Sequence, residues 1–442
     1  MKYTKDYKAI LRLGLPILVG QAGTVVVGFA DNIMVGHYST DALASASFVV
    51  NVFNMVMFCC MGFTYGVLPL AGALFAGGDK EAVGRLLRNA LCLNVLYALL
   101  LTAIMTVLYL NLHLLGQPEE LLPQIRPYYL LYLMGLVPIS VFNVFAQWSY
   151  SIKNTVMPMW IILITNIMNI FGNYLLIYGN WGCPEMGLFG AGVSTLVARV
   201  VATVAIVMMF VCRKKYSTYL RGFMQSRINR KCIGEVWRTS LPVSMQMTFE
   251  SASFSVAAVM AGWVGTVALA SYQIIVIVGM LGFCLYYAIG SAIAVLVANE
   301  AGGEGAPGMR RVAWAGYHVM LALAACSTLT FVLFGRGLMR LFTEDPAVLA
   351  TAMTLILPLV LYQLGDATQI TFANALRGTS HVMPMLWIAF VSYIVVGIPC
   401  TYLLAFPCGL ATYGIILSFS VSLFLAGALF LRYFLKATRE NG

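Results

Sequence analysis

The chain predicts an all-α integral membrane protein, with twelve transmembrane helices in two pseudo-symmetric six-helix lobes around a central cavity. Three observations predict it. First, the 442 residues are 61% hydrophobic and only 10% charged, whereas a soluble domain carries about 25% charged residues. Second, the apolar residues come in runs of about twenty, enough to cross roughly 30 Å of hydrocarbon as helix. Third, the sequence repeats. Leu15-Pro16, leading to Thr40-Asp41-Ala42-Leu43-Ala44-Ser45, returns as Leu241-Pro242, leading to Thr266-Val267-Ala268-Leu269-Ala270-Ser271. The offset is the same at both ends (242−16 = 226 and 266−40 = 226), and it recurs at Pro158 and Pro384 (384−158 = 226). One unit used twice fixes the architecture, and two similar apolar halves point to a transporter whose site lies between them.

The elements follow in order. An N-terminal lobe is expected over 1–212, with spans at 12–37, 44–75, 89–112, 126–150, 157–180 and 188–212. A linker follows over 213–236. The C-terminal lobe has spans at 237–262, 267–298, 312–335, 346–374, 383–405 and 410–432, and a tail closes the chain over 433–442. Span 1 opens at Pro16, which lacks the N–H that would hold its helix straight, so Pro16 is a candidate helix-1 hinge. The same span carries Asp31. Span 5 carries Asn166, Asn169 and Asn173, and span 6 carries Arg199. Span 7 repeats the Leu-Pro opening and carries Glu250, and span 10 carries Asp366. Strands are excluded, because an open sheet leaves its edge unsatisfied in lipid and no alternating barrel pattern appears.

Charge sets the orientation. Of 26 Lys and Arg, 22 fall on one side when the N-terminus is placed inside, among them Lys2, Lys5, Lys8, Arg12 and eight around the linker. Only Arg126, Arg336 and Arg340 fall on the other side, and Arg199 lies within a span. This bias places both termini and the linker in the cytoplasm of a multi-pass cell-membrane protein. The net charge of +10 then reflects topology and anionic lipid rather than nucleic acid. The linker begins Arg213-Lys214-Lys215 and carries Arg221, Arg227, Arg230 and Lys231, and reads as a solvated, lipid-facing connector. No cleavable signal peptide is expected, since the first apolar run is long and no small-residue cleavage site ends it before Asp31. The ten Cys form no CxxC and read mostly as small apolar packing residues. Cys183 and Cys408 occupy equivalent outer loops.

An ionisable group within a span costs about 2.5–3.5 kcal/mol on insertion scales, so it is a functional candidate by default. A carboxyl without water either takes a proton or is held as an anion by a bound cation, and either property couples ion flow to conformation. Asp31, Glu250 and Asp366 are such groups, and no lysine lies within any span. Tyr362 and Gln369 flank Asp366 on one helix face, Gln246 shares a face with Glu250, and Asn169 shares one with Asn173. Amide oxygens and a carboxylate suit a hard monovalent cation or a proton, so sodium at Glu250 and Asp366 is one expectation. The plainer reading is helix–helix hydrogen bonding. Arg199 reads as pairing with a carboxylate or snorkelling.

Other function classes fit less well. The four His form no HExxH or paired motif, so no membrane enzyme is expected, and without GxxxxGK[ST] there is no intrinsic ATPase. Gly77-Gly78-Asp79-Lys80-Glu81-Ala82-Val83-Gly84-Arg85 is only an imperfect echo of the inner-loop pattern of major facilitators. No filter-like segment suggests a channel.

Several segments together resemble the multidrug and toxic compound extrusion (MATE) family. They are Leu15-Pro16 with Gly28 to Gly36, the repeated Leu-Pro, Met157-Pro158-Met159, Asn169 to Asn173 with Tyr178-Gly179, Gly187 to Gly192, and Asp366 to Gln369 with Leu376-Arg377-Gly378. The resemblance implies two lobes around a V-shaped cavity and efflux of drugs or organic cations in exchange for sodium ions or protons; no other cofactor and a monomer are expected. It places Glu250, Asp366 and Tyr362 on the cation site of the NorM-like branch. It also places Asp31, Asn169, Asn173 and Thr195 in an N-lobe polar cluster. Relatives of the DinF-like branch carry an acid where this chain has Asn173, so here the cluster holds one carboxylate. A lipid-linked oligosaccharide flippase is the alternative, but such flippases line their cavity with several basic residues, and Arg199 stands alone.

Overall fold

The computed structural model describes residues 3–115, 118–340, 343 and 345–440. Lys2, counted in the charge bias, and the extreme ends of the expected N-terminal lobe and tail (Met1, Asn441 and Gly442) lie outside them. All regular structure among the described residues is helical. In lipid, this satisfies every backbone group within its own segment.

The first half contains α1 (Thr4–Tyr38), α2 (Thr40–Tyr65), α3 (Val67–Ala76), α4 (Lys80–Leu110), α5 (Leu122–Met134), α6 (Leu136–Ser151), α7 (Val156–Tyr178) and α8 (Gly187–Cys212). A short α9 (Ser217–Gln225) occupies the linker. The second half contains α10 (Arg230–Val264), α11 (Thr266–Ala301), α12 (Ala306–Arg340), α13 (Pro346–Thr354), α14 (Ile356–Gly378), α15 (Met383–Ala389), α16 (Ile398–Ala405) and α17 (Ala411–Glu440). Local chemistry starts several of these. Asp79 accepts from the Ala82 N–H at 2.8 Å and opens α4, so the aspartate of the transporter-like loop is a helix cap. Asp345 accepts from the Ala347 N–H at 2.8 Å and opens α13.

Ten helical stretches among the described residues are long and apolar enough to cross a membrane, and α13 with α14 forms an eleventh, bent by 47°. The remaining expected span is α10, 35 residues long, whose first turns are rich in charge. Three expected spans are broken. Span 2 divides at Gly66, span 4 at Gly135 and span 10 at Leu355. Span 11 passes through a π-helical segment, Phe390–Gly397, between α15 and α16. By contrast, α1 and α10 run unbroken through Pro16 and Pro242.

The chain divides into two compact units, Val19–Ser240 and Met1–Leu18 with Leu241–Gly442. Both cuts fall beside the repeat-equivalent prolines. Within the second unit, the start of the chain is held by an Arg311–Asp6 pair at 3.0 Å and by Tyr7 against His318 Nδ1 at 2.9 Å. Each unit has its own apolar core. Val49, Phe53, Tyr129, Leu136 and Ile177 pack in the first, and Tyr272, Phe331, Leu359 and Phe419 pack in the second. Val107, Leu110, Leu333 and Phe334 point outward and are exposed, as lipid-facing side chains must be.

Candidate functional site

The first unit gathers Asp31, Asn169, Asn173 and Thr195 where α1, α7 and α8 meet. Asn173 and Asn169 are four residues apart, so both amides leave α7 on one face, and both are buried, at 0% and 3% exposure. Asn173 Nδ2 donates to Asp31 Oδ1 at 2.5 Å. The Asn169 amide satisfies both of its ends in one orientation. Its nitrogen donates to Asp31 Oδ1 at 3.0 Å, and its oxygen accepts from the Thr195 N–H at 3.2 Å and the Thr195 hydroxyl at 3.3 Å. Gly172 makes the approach of α8 possible, because a Cβ there would lie 2.5 Å from Ser194 Oγ. Ser194 Oγ in turn donates to the Asn169 carbonyl at 2.8 Å. Tyr178 OH donates to the Met34 carbonyl at 2.7 Å and ties the end of α7 to α1. One Asp31 oxygen therefore accepts two amide donors, and its carboxylate is orientated rather than free.

Arg199 stands near this cluster, but forms no ion pair among the described residues. Its guanidinium lies 4.8 Å from the Tyr132 ring centroid, a cation–π contact. Room for it comes from Gly135, where a Cβ would sit 2.6 Å from Arg199 Nη1. Arg199 thus stacks on an aromatic face within the electrostatic reach of the Asp31 carboxylate.

The second unit gathers Glu250, Asp366 and Tyr362. Gln246 Nε2 donates to Glu250 Oε2 at 2.7 Å, across one turn of α10. Asp366 is 1% exposed, and Gln363 and Gln369 on the same helix are 0% and 1% exposed. Asp366 lies within the electrostatic reach of Glu250, and Tyr362 and Tyr393 lie within that of both carboxylates. Tyr393 belongs to the π-helical segment, a distortion that proteins concentrate at functional positions. Among the described residues, the buried acceptors Asp366 Oδ2, Gln369 Oε1, Gln363 Oε1 and Gln246 Oε1 have no hydrogen-bond donor, and Gln363 Nε2 has no acceptor. An unmet buried acceptor costs about 1–3 kcal/mol, and this cost falls away when a proton or a hard cation supplies the missing partner.

Sequence reasoning missed two features of this half. Gln363, next to Tyr362, is buried beside Asp366 on the same helix. Arg377 lies beyond the expected end of span 10 at 374, yet it is 6% exposed at the end of α14, donates to Asn374 Oδ1 at 3.1 Å and lies within the field of Glu250. The Asn374–Arg377 spacing, one helical turn, was the available signal. Among the described residues no group of three or more His, Cys, Asp or Glu is placed to chelate a metal, and Cys183 and Cys408 are not joined in a disulfide.

The family model described as MatE matches the chain twice, over residues 16–175 and 242–403. The two matches begin 226 residues apart (242−16 = 226), the offset of the sequence repeat. A protein of Bradyrhizobium diazoefficiens named "Probable multidrug resistance protein NorM" is 28% identical over 99% of this chain and 95% of its own length. A Vibrio cholerae protein named "Multidrug resistance protein NorM" is 24% identical over 91% of this chain and 88% of its own. Among solved structures, an outward-facing multidrug resistance MATE family transporter of the MOP superfamily superposes with a TM-score of 0.89 at 18% identity, covering 98% of this chain and 97% of that one. A MOP superfamily transporter from Pyrococcus furiosus superposes with a TM-score of 0.88 at 18% identity, over the same shares. These superpositions establish the fold.

Proposed function

The chain belongs to the MatE family, and we propose from that premise that it is a secondary active exporter of drugs or organic cations, driven by sodium ions or protons moving inward. The observation that carries the coupling mechanism is the group of undonated acceptor oxygens around Asp366, beside a second carboxylate at Glu250. In this reading Asp366 and Glu250 take the exchanged ion, Gln246 orientates Glu250, and Tyr362 borders the site. An ion-loaded site has neutralised charge and satisfied acceptors, whereas the emptied site has neither. The two states therefore favour different helix packings around α10 and α14, and drug binding can exploit that difference.

Asp31 responds in the same way in the first unit. Gain of a proton or cation there changes the bonds that Asn169 and Asn173 make, and Pro16, about four turns earlier on α1, lets that helix bend. The two sequence halves serve as the lobes of the transport cycle, with both termini and the linker cytoplasmic, and the monomer is the working unit. Labelling of a cysteine placed at residue 225 by an impermeant reagent tests the topology, and labelling from outside intact cells overturns it.

The decisive experiment uses purified protein in liposomes loaded with a fluorescent cationic drug, with sodium and proton gradients imposed separately. Drug should move against its gradient when one of the two is applied. Drug movement that neither gradient accelerates would overturn the antiport reading.

A further inference from the structure

The linker is docked, not loose. Helix α9 crosses α4 with backbone against backbone. A Cβ on Gly84 would sit 2.0 Å from the Tyr219 carbonyl oxygen, and one on Gly222 would sit 2.2 Å from that of Glu81. Arg88 Nη1 donates to the carbonyls of Phe223 and Met224 at 3.2 and 3.0 Å, and so holds the end of α9. Buried Asn89 accepts from the Asn229 N–H at 2.8 Å, and so holds the strand of chain that follows. Between these anchors lies a cavity of about 800 Å³.

The lining of that cavity has two characters. Leu70, Leu74 and Leu86 form an apolar wall, while Arg85, Arg227 and Arg230 bring positive charge against a single carboxylate, Glu235. Arg85 also reaches Asp79 at 3.4 Å, a half-exposed pair of little energetic weight. Neither Arg227 nor Arg230 has an ion-pair partner among the described residues. Ile228, which lines the cavity, is 58% exposed, and Met224, at the end of α9, is 68% exposed. A pocket with basic residues above apolar side chains, at the end of membrane-spanning helices, matches one chemistry well: a phosphate monoanion carried on acyl chains.

We propose that this cavity binds the headgroup of an anionic phospholipid from the leaflet that the linker faces, with Arg227 and Arg230 holding the phosphate and Leu70 and Leu74 meeting the upper acyl chain. On the topology proposed above that leaflet is cytoplasmic, but binding itself does not depend on which side it is. A bound lipid bridges α3, α4 and the linker, and so stiffens the connection between the sequence halves.

The test uses delipidated full-length protein, offered equal amounts of phosphatidylglycerol and phosphatidylcholine with identical acyl chains, with retained lipid read by native mass spectrometry. Each basic residue near an anionic surface contributes about a factor of five. The wild-type protein should therefore prefer phosphatidylglycerol by about twenty-fold, and Arg227→Gln with Arg230→Gln should remove most of that preference. Lys214→Gln with Lys215→Gln, which loses the same charge outside the cavity, should keep it. Leu74→Trp, which narrows the cavity without altering charge, should weaken retention and serves if the arginine variant fails to fold. Equal losses in the arginine and lysine variants would reduce the effect to surface charge and overturn the site. Displacement of the lipid by millimolar glycerol 3-phosphate would identify a soluble phosphate as the occupant and overturn the lipid assignment. Drug binding, measured alongside, reports separately on the transport reading.

Discussion

The two halves share one scaffold but not one chemistry. The repeat aligns Asp31 with Ala257 (31+226 = 257) and Glu250 with Thr24 (250−226 = 24). Ala257 is 1% exposed inside an apolar core, and Thr24 turns its hydroxyl back to the Gly20 carbonyl at 3.2 Å. Each half therefore carries its first-helix carboxylate where the other half has none. Their surroundings differ too. Asp31 receives amide donors from Asn173 and Asn169, whereas Asp366 and its neighbouring glutamines keep acceptor oxygens without donors. At Asp31 one carboxylate oxygen already holds two donors. A carboxylate left short of donors gains most from a proton or a cation. The contrast is one of degree, since Glu250 in the second half accepts from Gln246 at 2.7 Å and Asn173 Oδ1 in the first is also a buried acceptor without a donor among the described residues.

The largest expected effect falls on the second half. Glu250→Gln and Asp366→Asn should each reduce gradient-driven efflux in liposomes to the leak of protein-free vesicles, while helical circular dichroism is unchanged. Wild-type rates in either variant would remove that residue from coupling. A carboxylate moved to the equivalent place in the other half sharpens the contrast. Ala257→Asp puts an unpaired acid into an apolar core at a cost of several kcal/mol, so the yield of folded, monodisperse protein should collapse. Thr24→Glu, at an exposed position within a span, should lower the yield less, by the smaller cost of an acid that need not displace packed side chains. If both behave alike, the halves are more interchangeable than their packing implies.

Asp31→Asn is expected to be intermediate. Its carbonyl oxygen can still accept from Asn173 and Asn169, but as a neutral rather than a charged acceptor, which should lower stability by about 1 kcal/mol, read as a drop in melting temperature. Drug binding should survive, while the dependence of transport on pH or sodium flattens. An unchanged dependence would make the cluster purely structural. The smallest effect is expected from Gly135→Ala. The added methyl meets Arg199 Nη1 at 2.6 Å, a flexible end that can shift. Stability should fall by less than about 1 kcal/mol, and transport should change only if the stacking of Arg199 on Tyr132 serves the cycle.

Much of the candidate site was legible because helices carry a fixed period. The spacing of Asn169 from Asn173, and of Gln246 from Glu250, needed only 3.6 residues per turn. The hidden parts were those that depend on a neighbouring helix. Arg377 looked like a loop residue because sequence distance from the last apolar run measures nothing of burial. The breaks at Gly66 and Gly135 left no trace in the apolar runs, which continue through both. The π-helical turn that carries Tyr393 also has an ordinary apolar sequence.

What lipid and the backbone demand can be read from the residues alone. Long apolar runs must be helices because nothing else satisfies their N–H and C=O groups, and the 226-residue repeat requires two like halves. The sequence also marked the buried acids, since each is too costly to be accidental. Which donors reach which acid, where Arg199 rests, and the folding of the basic linker onto α4 around a cavity all emerge from helix packing. Those outcomes turn on ångström-scale contacts between helices, where a glycine such as Gly84 or Gly172 admits a neighbour that any side chain would keep out. Residue type and spacing along one helix carry no record of what that neighbour brings.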